Sequence, residues 1–301
     1  MTTKEEQSHF EWHARTVYSG VGEIADLGCW LGSTTISLAR GLSRNPLAAA
    51  SEKKVHAFDR FLWEDWMDAF VSETPLGRNY RPGESFLDEF QHRTRPWAER
   101  ITVYMGDLCQ LPWIGHEIEI LLIDAMKSWD LANAIVSKFF PYLIPQQSYI
   151  FHQDFAHCHT PWIHLIQYRF RRFFEPLHLV SRSTTFVFKH AASIPSAMLG
   201  IEFSPKCFSK EEIDDAFEYS LSLISDRSAQ ARVAAAKILL WVQLGETVHA
   251  DRELDRFLRL GFPIVSDMKV VMQKLGRAPE PPRGGGGKSL KAIKTLAKLA
   301  R

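Results

Sequence analysis

From the start of the chain to about residue 190, short apolar runs alternate with longer stretches whose apolar residues recur every three or four positions. The runs read as buried strands and the periodic stretches as amphipathic helices. The runs are the segment ending in Asp26, then Lys53–Asp59, Ile101–Met105, Ile118–Ile123 and Ser148–Phe151. Leu177–Val180 and Thr184–Lys189 follow, on either side of Ser181-Arg182-Ser183. Ile118–Ile123 is nearly unbroken in its apolar character, which suits a central strand covered on both faces. Helical spacing links Phe10, Trp12 and Val17; Ile36, Leu38, Ala39 and Leu42; and Trp129, Ala132, Ile135, Val136, Phe139 and Phe140. Thr160-Pro161 stands in cap and first-turn positions for another helix. Strands alternating with helices and closed by a hairpin predict a doubly wound α/β sheet with an antiparallel edge.

Beyond residue 196 the strand pattern stops. Ser209 and Glu212 form a capping-box signature ahead of Phe217, Leu221 and Ile224. Three more helices are expected from about Ser228 to Leu244, Glu246 to Leu260 and Ile264 to Leu275, each followed by a glycine. The division that results is an α/β domain over 1–195, an α-helical domain over 196–276, a Pro/Gly linker over 277–289 and a tail over 290–301. The tail sets Leu290, Ile293, Ala297 and Ala300 against Lys291, Lys294, Lys298 and Arg301. This basic amphipathic pattern suits weak contact with an anionic membrane surface or a partner protein, or else a solvated end.

Composition narrows the class. With 46% hydrophobic and 24% charged residues in 301, the chain has an ordinary soluble balance and enough length for a substantial core. A net charge of +1 gives no general nucleic-acid surface. No run approaches the roughly 18 apolar residues of a membrane span. Met1–Gln7 is polar, without the apolar core of a signal peptide. The four cysteines, Cys29, Cys109, Cys158 and Cys207, are scattered without Cys-x-x-Cys spacing. Reduced thiols and a cytoplasmic location are the expectation.

The candidate chemistry lies at strand ends. After Asp26 come Gly28 and Gly32, then a helix that Ser33 or Thr34 can cap. Glycines let a backbone bend sharply and approach a ligand closely. The spacing is Gly-x-x-x-Gly rather than the Gly-x-Gly-x-x-Gly of dinucleotide sites. Asp59 ends the second run, where ligands of parallel sheets gather and a carboxylate can accept both hydroxyls of a ribose. Residues 61–99 are rich in aromatic and Arg residues, with Arg78 and Arg81 as candidate substrate contacts. Such an insertion forms a substrate lid, or a packed subdomain or homo-oligomer contact.

The pattern Asp26-x-Gly28-x-x-x-Gly32 resembles the first motif of the class I S-adenosylmethionine methyltransferases. Leu122-Ile-Asp-Ala-Met-Lys-Ser-Trp-Asp130 resembles the fourth-strand motif of two metal-dependent O-methyltransferase groups, the catechol type and the macrocin type. Phe58–Phe61 and Gly106–Pro112 match further elements of the second group. The resemblance covers roughly residues 20–190 and implies a Rossmann-like, mostly parallel sheet. It also implies S-adenosylmethionine as cofactor and O-methylation of a glycan or small-metabolite hydroxyl. Carried over residue by residue, Asp26, Gly28, Gly32, Asp59 and Asp107 hold the cofactor, Asp107 near the adenine amine. Asp124 is a metal ligand and Lys127 the base. Gln153 and Asp154 stand where the family has Asp-Asp or Asp-Asn, so Mg²⁺ held by Asp124, Gln153 and Asp154 has one negative charge fewer.

Methyl transfer from a sulfonium needs the acceptor oxygen in line with the methyl carbon, and its proton removed. A divalent ion, a desolvated lysine or a histidine can take that second role. His152, His157, His159 and His164 gather with Asp154 and Cys158 in one short segment. Such density suggests a base, His152 or His157, or a softer metal such as zinc or iron. Two other functions are compatible with these residues. One is an iron-dependent hydroxylase-like enzyme with His152, Asp154 and His157 as ligands. The other is a non-catalytic S-adenosylmethionine-binding scaffold working through its helical part and tail.

Overall fold

The computed structural model describes residues 2–47, 50–71, 74, 76 and 80–277. Arg78, the basic tail and all of the linker except Arg277 lie outside that range. Seven strands form one sheet: β1 (Glu23–Leu27), β2 (Val55–Asp59), β3 (Ile101–Met105), β4 (Ile118–Ile123), β5 (Tyr149–His152), β6 (Phe174–Leu179) and β7 (Phe186–His190). Their order is β3-β2-β1-β4-β5-β7-β6. The first five run parallel, and β7 lies antiparallel between β5 and β6. This is the doubly wound, Rossmann-like sheet with an antiparallel edge that the hydrophobic pattern predicts. The order reverses between β1 and β4, so the switch point falls where Leu27 pairs with Ile123.

Eleven α-helices are described: α1 (Lys4–Thr16), α2 (Ser33–Leu42), α3 (Asp68–Val71), α4 (Leu87–Thr94), α5 (Trp129–Phe139), α6 (Pro161–Phe170), α7 (Ser196–Leu199), α8 (Lys210–Ser222), α9 (Arg227–Gln243), α10 (Thr247–Arg259) and α11 (Ser266–Lys274). None of them is long and apolar enough to cross a membrane.

β4 shows why its sequence is apolar at successive positions. Ile120 and Leu122 pack with Phe10, Leu38 and Phe151 on the α1/α2 face. Leu121 and Ile123 join Ile135, Phe139 and Ile166 on the other. Each fully buried aliphatic side chain of this kind stabilises the fold by about 1.5–3 kcal/mol. Glu119 interrupts the run and is buried, with its carboxylate accepting the backbone N–H groups of Ser19, Val21 and Gly22 at 2.6, 2.9 and 3.3 Å. Three N–H donors offset the cost of burying the carboxylate.

The helices after residue 196 do not have a core of their own. Trp241 and Ala234 of α9 and Phe217 of α8 lie in the same hydrophobic cluster as Leu121 and Phe139. Ser209 caps α8 by accepting the Glu212 N–H, as the capping signature predicts. The Glu212 carboxylate, however, turns to Arg169 on α6, which also donates to the Cys207 carbonyl at 2.7 Å. Lys237 in α9 is 1% exposed and sits 2.8 Å from both Asp214 of α8 and Glu253 of α10. Charge pairing at that depth ties three helices to one another.

Candidate functional site

The glycine turn is built by Asp26 from below. This buried carboxylate accepts hydrogen bonds from the Thr34 and Thr35 hydroxyls at 2.9 and 2.6 Å. That is how α2 is fastened to β1. Neither Ser33 nor Thr34 caps the helix: the cap position falls on Gly32 (φ +83°), and Ser33 Oγ accepts from the Gln7 amide at 3.0 Å. Asp26 Oδ1 has no partner among the described residues. Burial raises its pKa to about 7, the two threonine hydroxyls opposing and the Asp124 and Asp59 charges adding to the rise. Gly28 (φ +86°) is required by packing, since a Cβ there would lie 2.9 Å from the Asp124 carbonyl carbon.

Asp59 fastens the turn from the side. Its Oδ2 accepts the Trp30 N–H at 2.9 Å and its Oδ1 the Phe61 N–H at 2.8 Å. Trp30 (φ +43°) and Phe61 (φ +53°) both hold left-handed backbone conformations that side chains rarely adopt, so one carboxylate stabilises two strained residues. Burial raises the Asp59 pKa against the pull of those N–H groups. The Trp30 ring meets Trp66 and Phe70 with centroids 5.6 and 6.2 Å away, so the aromatic insertion packs over the turn. Phe61, Trp63, Phe86 and Phe90 of the insertion pack in one hydrophobic cluster with Cys29 of the turn and Ala57 of β2. Arg81 is exposed within it.

At the end of β3, Met105 is 56% exposed and pairs in register with Asp59. Asp107 is exposed and accepts the Cys109 N–H at 2.8 Å, closing a local turn. Asp26, Asp59, Asp107 and Asp124 therefore stand at or just past the carboxyl ends of β1, β2, β3 and β4.

Asp124 and Asp154 are brought together by Lys127. Its ammonium donates to Asp124 Oδ1 at 2.7 Å and makes a short contact to Asp154 Oδ2. Burial disfavours the ammonium, but the Asp124 and Asp154 carboxylates outweigh it and raise the Lys127 pKa. Burial would raise the Asp154 pKa too, and there Lys127 and His157 prevail and lower it. Lys127 is thus held protonated, without the lone pair that the role of base demands. Gln153 is buried and its amide donates to Thr2 Oγ1 at 3.3 Å, leaving Oε1 without a partner among the described residues. The donor set does not fit the expected Mg²⁺. Two carboxylates already share an ammonium, and the third ligand is a neutral amide turned toward the amino-terminal segment.

The histidines separate. His152 is 2% exposed against Phe188, and burial lowers its pKa to about 4, with the Gln167 amide opposing. His164 lies fully buried between Phe155 and Phe217. Neither reaches the strand-end surface where an acceptor would lie. His157 turns instead to Cys158 and Asp267. Among the described residues, these three form the one group of His, Cys, Asp and Glu ligand atoms lying within 4.8 Å of one another. His152, Asp154 and His157 are not assembled as an iron site.

Sequence reasoning missed Thr35, Trp30, Thr2, Gln7 and Asp267. The Thr34-Thr35 pair, one residue past the second glycine, and the tryptophan between the glycines were the available signals for the first two. Nothing local marked the others.

No protein-family model matches this chain, and no curated protein sequence does. Solved structures similar to it include that of the pyocyanin biosynthetic protein PhzM, at 13% identity over 61% of this chain and 55% of that one, with a TM-score of 0.35. Another is CalO1, a methyltransferase in calicheamicin biosynthesis, in its SAH-bound form, at 14% identity over 48% of this chain and 34% of that one, with a TM-score of 0.26. The chain thus spans about half and a third of those two chains. Likeness at this level leaves the function to be read from this chain's own residues.

Proposed function

We propose that this protein is an S-adenosylmethionine-dependent methyltransferase acting on a hydroxyl of a small metabolite or glycan. The observation that carries the reading is that Asp26, Asp59 and Asp124 stand at the carboxyl ends of the three adjacent strands β1, β2 and β4, beside the switch point of the sheet. Clustered carboxylates in a partly buried place create a negative potential that favours a cationic ligand. A sulfonium cofactor is such a cation, and when bound it supplies an electrophilic methyl group.

In this reading Asp59 accepts the ribose hydroxyls with the lone pairs that Trp30 and Phe61 leave free. Met105 offers an exposed apolar face beside it for the base. Lys127 acts as a fixed cation and not as the base that the resemblance implies. Its ammonium stabilises negative charge developing on the acceptor oxygen, and Asp124 takes the proton, since burial raises its pKa toward the working range. His152 is assigned to the core.

The test is calorimetric titration of the purified full-length protein with S-adenosylhomocysteine, beside Asp59→Ala. We expect micromolar binding, weakened at least about tenfold in the variant through the lost acceptor and the relaxed turn, equivalent to about 1.4 kcal/mol. No binding by the folded wild-type protein would overturn the assignment.

A further inference from the structure

We infer that His157, Cys158 and Asp267 form a site for one borderline-soft divalent metal ion of the zinc type, separate from the strand-end site proposed above. The three come from two distant places in the chain. His157 and Cys158 lie in the loop between β5 and α6, and Asp267 is in the first turn of α11. Their ligand atoms all fall within 4.8 Å of one another, close enough for small side-chain shifts to bring all three onto one ion at bonds of about 2.0–2.3 Å. Imidazole, thiolate and carboxylate are the donors that select zinc-like ions over Mg²⁺ or Ca²⁺, which take oxygen ligands.

The surroundings are those of a built site. Cys158 is 1% exposed and Asp267 8%, with half-buried His157 leaving a route from solvent. Asp267 is oriented from behind, its Oδ1 accepting the Cys158 N–H at 3.0 Å and its Oδ2 the Ser266 hydroxyl at 3.0 Å. Hydrogen bonds of this kind fix the direction in which a carboxylate offers its remaining lone pairs. His157 Nδ1 accepts only a long hydrogen bond, 3.3 Å, from the His159 N–H. Ligation through Nδ1 replaces that bond.

Charge also balances. The thiol loses its proton to solvent as the metal–sulfur bond forms, and the carboxylate and neutral imidazole need lose none. One thiolate and one carboxylate then cancel the dication, which suits a place this deeply buried. The buried thiol beside a carboxylate, with Lys274 as a weak compensating cation, is otherwise a poor place for a second negative charge. Three protein ligands leave a fourth tetrahedral position open to water. The bound ion would pin α11 to the loop that carries Asp154, so metal occupancy and the order of the strand-end site would be coupled.

The experiment uses the full-length protein freed of metal with a chelator and titrated with Co²⁺ and then Zn²⁺. We expect one Co²⁺ per chain, with a thiolate-to-cobalt charge-transfer band that Zn²⁺ abolishes and Mg²⁺ does not. Cys158→Ser loses the band, and Asp267→Asn binds at least tenfold more weakly. Replacing the exposed Cys207 by serine leaves both unchanged. Circular dichroism checks folding; if Cys158→Ser fails it, His157→Ala, which removes a half-buried ring, must weaken Co²⁺ at least tenfold. Absence of the band in the wild-type protein, or a band lost with Cys207 and kept without Cys158, would overturn the assignment.

Discussion

Lys127→Met is expected to lower methyl transfer by about 10²–10³-fold while changing S-adenosylhomocysteine affinity by less than about threefold, the loss typical of removing one preorganised charge from a transition state. Lys127 contacts carboxylates at the ends of β4 and β5, not the glycine turn, so the cofactor's footholds at Asp26 and Asp59 stay in place. The variant leaves Asp124 and Asp154 facing one another without a cation between them. Two close carboxylates cannot both stay ionised cheaply, so the pair either shares a proton or recruits a cation from solution. Mg²⁺ binding should therefore appear in Lys127→Met and be absent from the wild-type protein. Turnover is measured with labelled cofactor on phenolic, catecholic and sugar hydroxyls, and Mg²⁺ binding by calorimetry. A variant that keeps wild-type turnover would show that the ammonium has no part in the reaction. One that loses turnover together with cofactor binding would show that Lys127 supports the turn instead.

The elements were legible where burial leaves a periodic trace. Ile118–Ile123 is a strand because both of its faces are covered, and the runs ending at Asp26, Asp59 and Met105 mark further parallel strands of the same sheet. The helices after residue 196 were legible from their caps and terminal glycines, with ends within two residues of those expected. What they pack against was not legible. Apolar stripes show that a helix buries a face and are silent on what covers it, and here the cover is the core of the sheet.

The site was legible where its residues are sequence neighbours and hidden where they are not. Asp26, Gly28, Gly32, Asp59 and Asp124 stand at strand ends because a parallel sheet collects those ends on one edge. The Asp124–Lys127–Asp154 arrangement could not be read as an ion pair from spacing alone, because the β5 acid reaches it only through pairing of Ile123 with His152. The histidine-rich segment misled for a related reason. A strand end, a loop and a helix send His152, His157 and His164 in three directions, so closeness in sequence brought no common site. Asp267, which does share a site with His157, is far along the chain and lies on a helix with no pattern to announce it.

The carboxylate cluster makes the protein's pH dependence calculable in sign. Asp26 has a pKa near 3.8 when unfolded and about 7 when folded. A raised folded-state pKa means that the folded state binds the proton more tightly. Its contribution to stability is complete below about pH 4 and is lost as pH rises to about 7, by about 4 kcal/mol at most. Asp26→Asn keeps an oxygen to accept the Thr34 and Thr35 hydroxyls but cannot ionise. Urea unfolding from pH 4 to 8 should therefore show wild-type stability falling relative to the variant across this window, the difference cancelling other groups that titrate there. A bound sulfonium reverses the penalty, because a cation favours the ionised carboxylate. S-adenosylmethionine should bind about fivefold more tightly at pH 7 than at pH 6, with about half a proton released on binding at pH 7, since a carboxyl of pKa about 7 is only half protonated there. The neutral thioether of S-adenosylhomocysteine should show a weaker dependence, and Asp26→Asn should flatten both. Equal pH dependence for the two ligands would mean that the acids at the strand ends do not sense the cofactor's charge, and the electrostatic basis of the proposed function would fall with it.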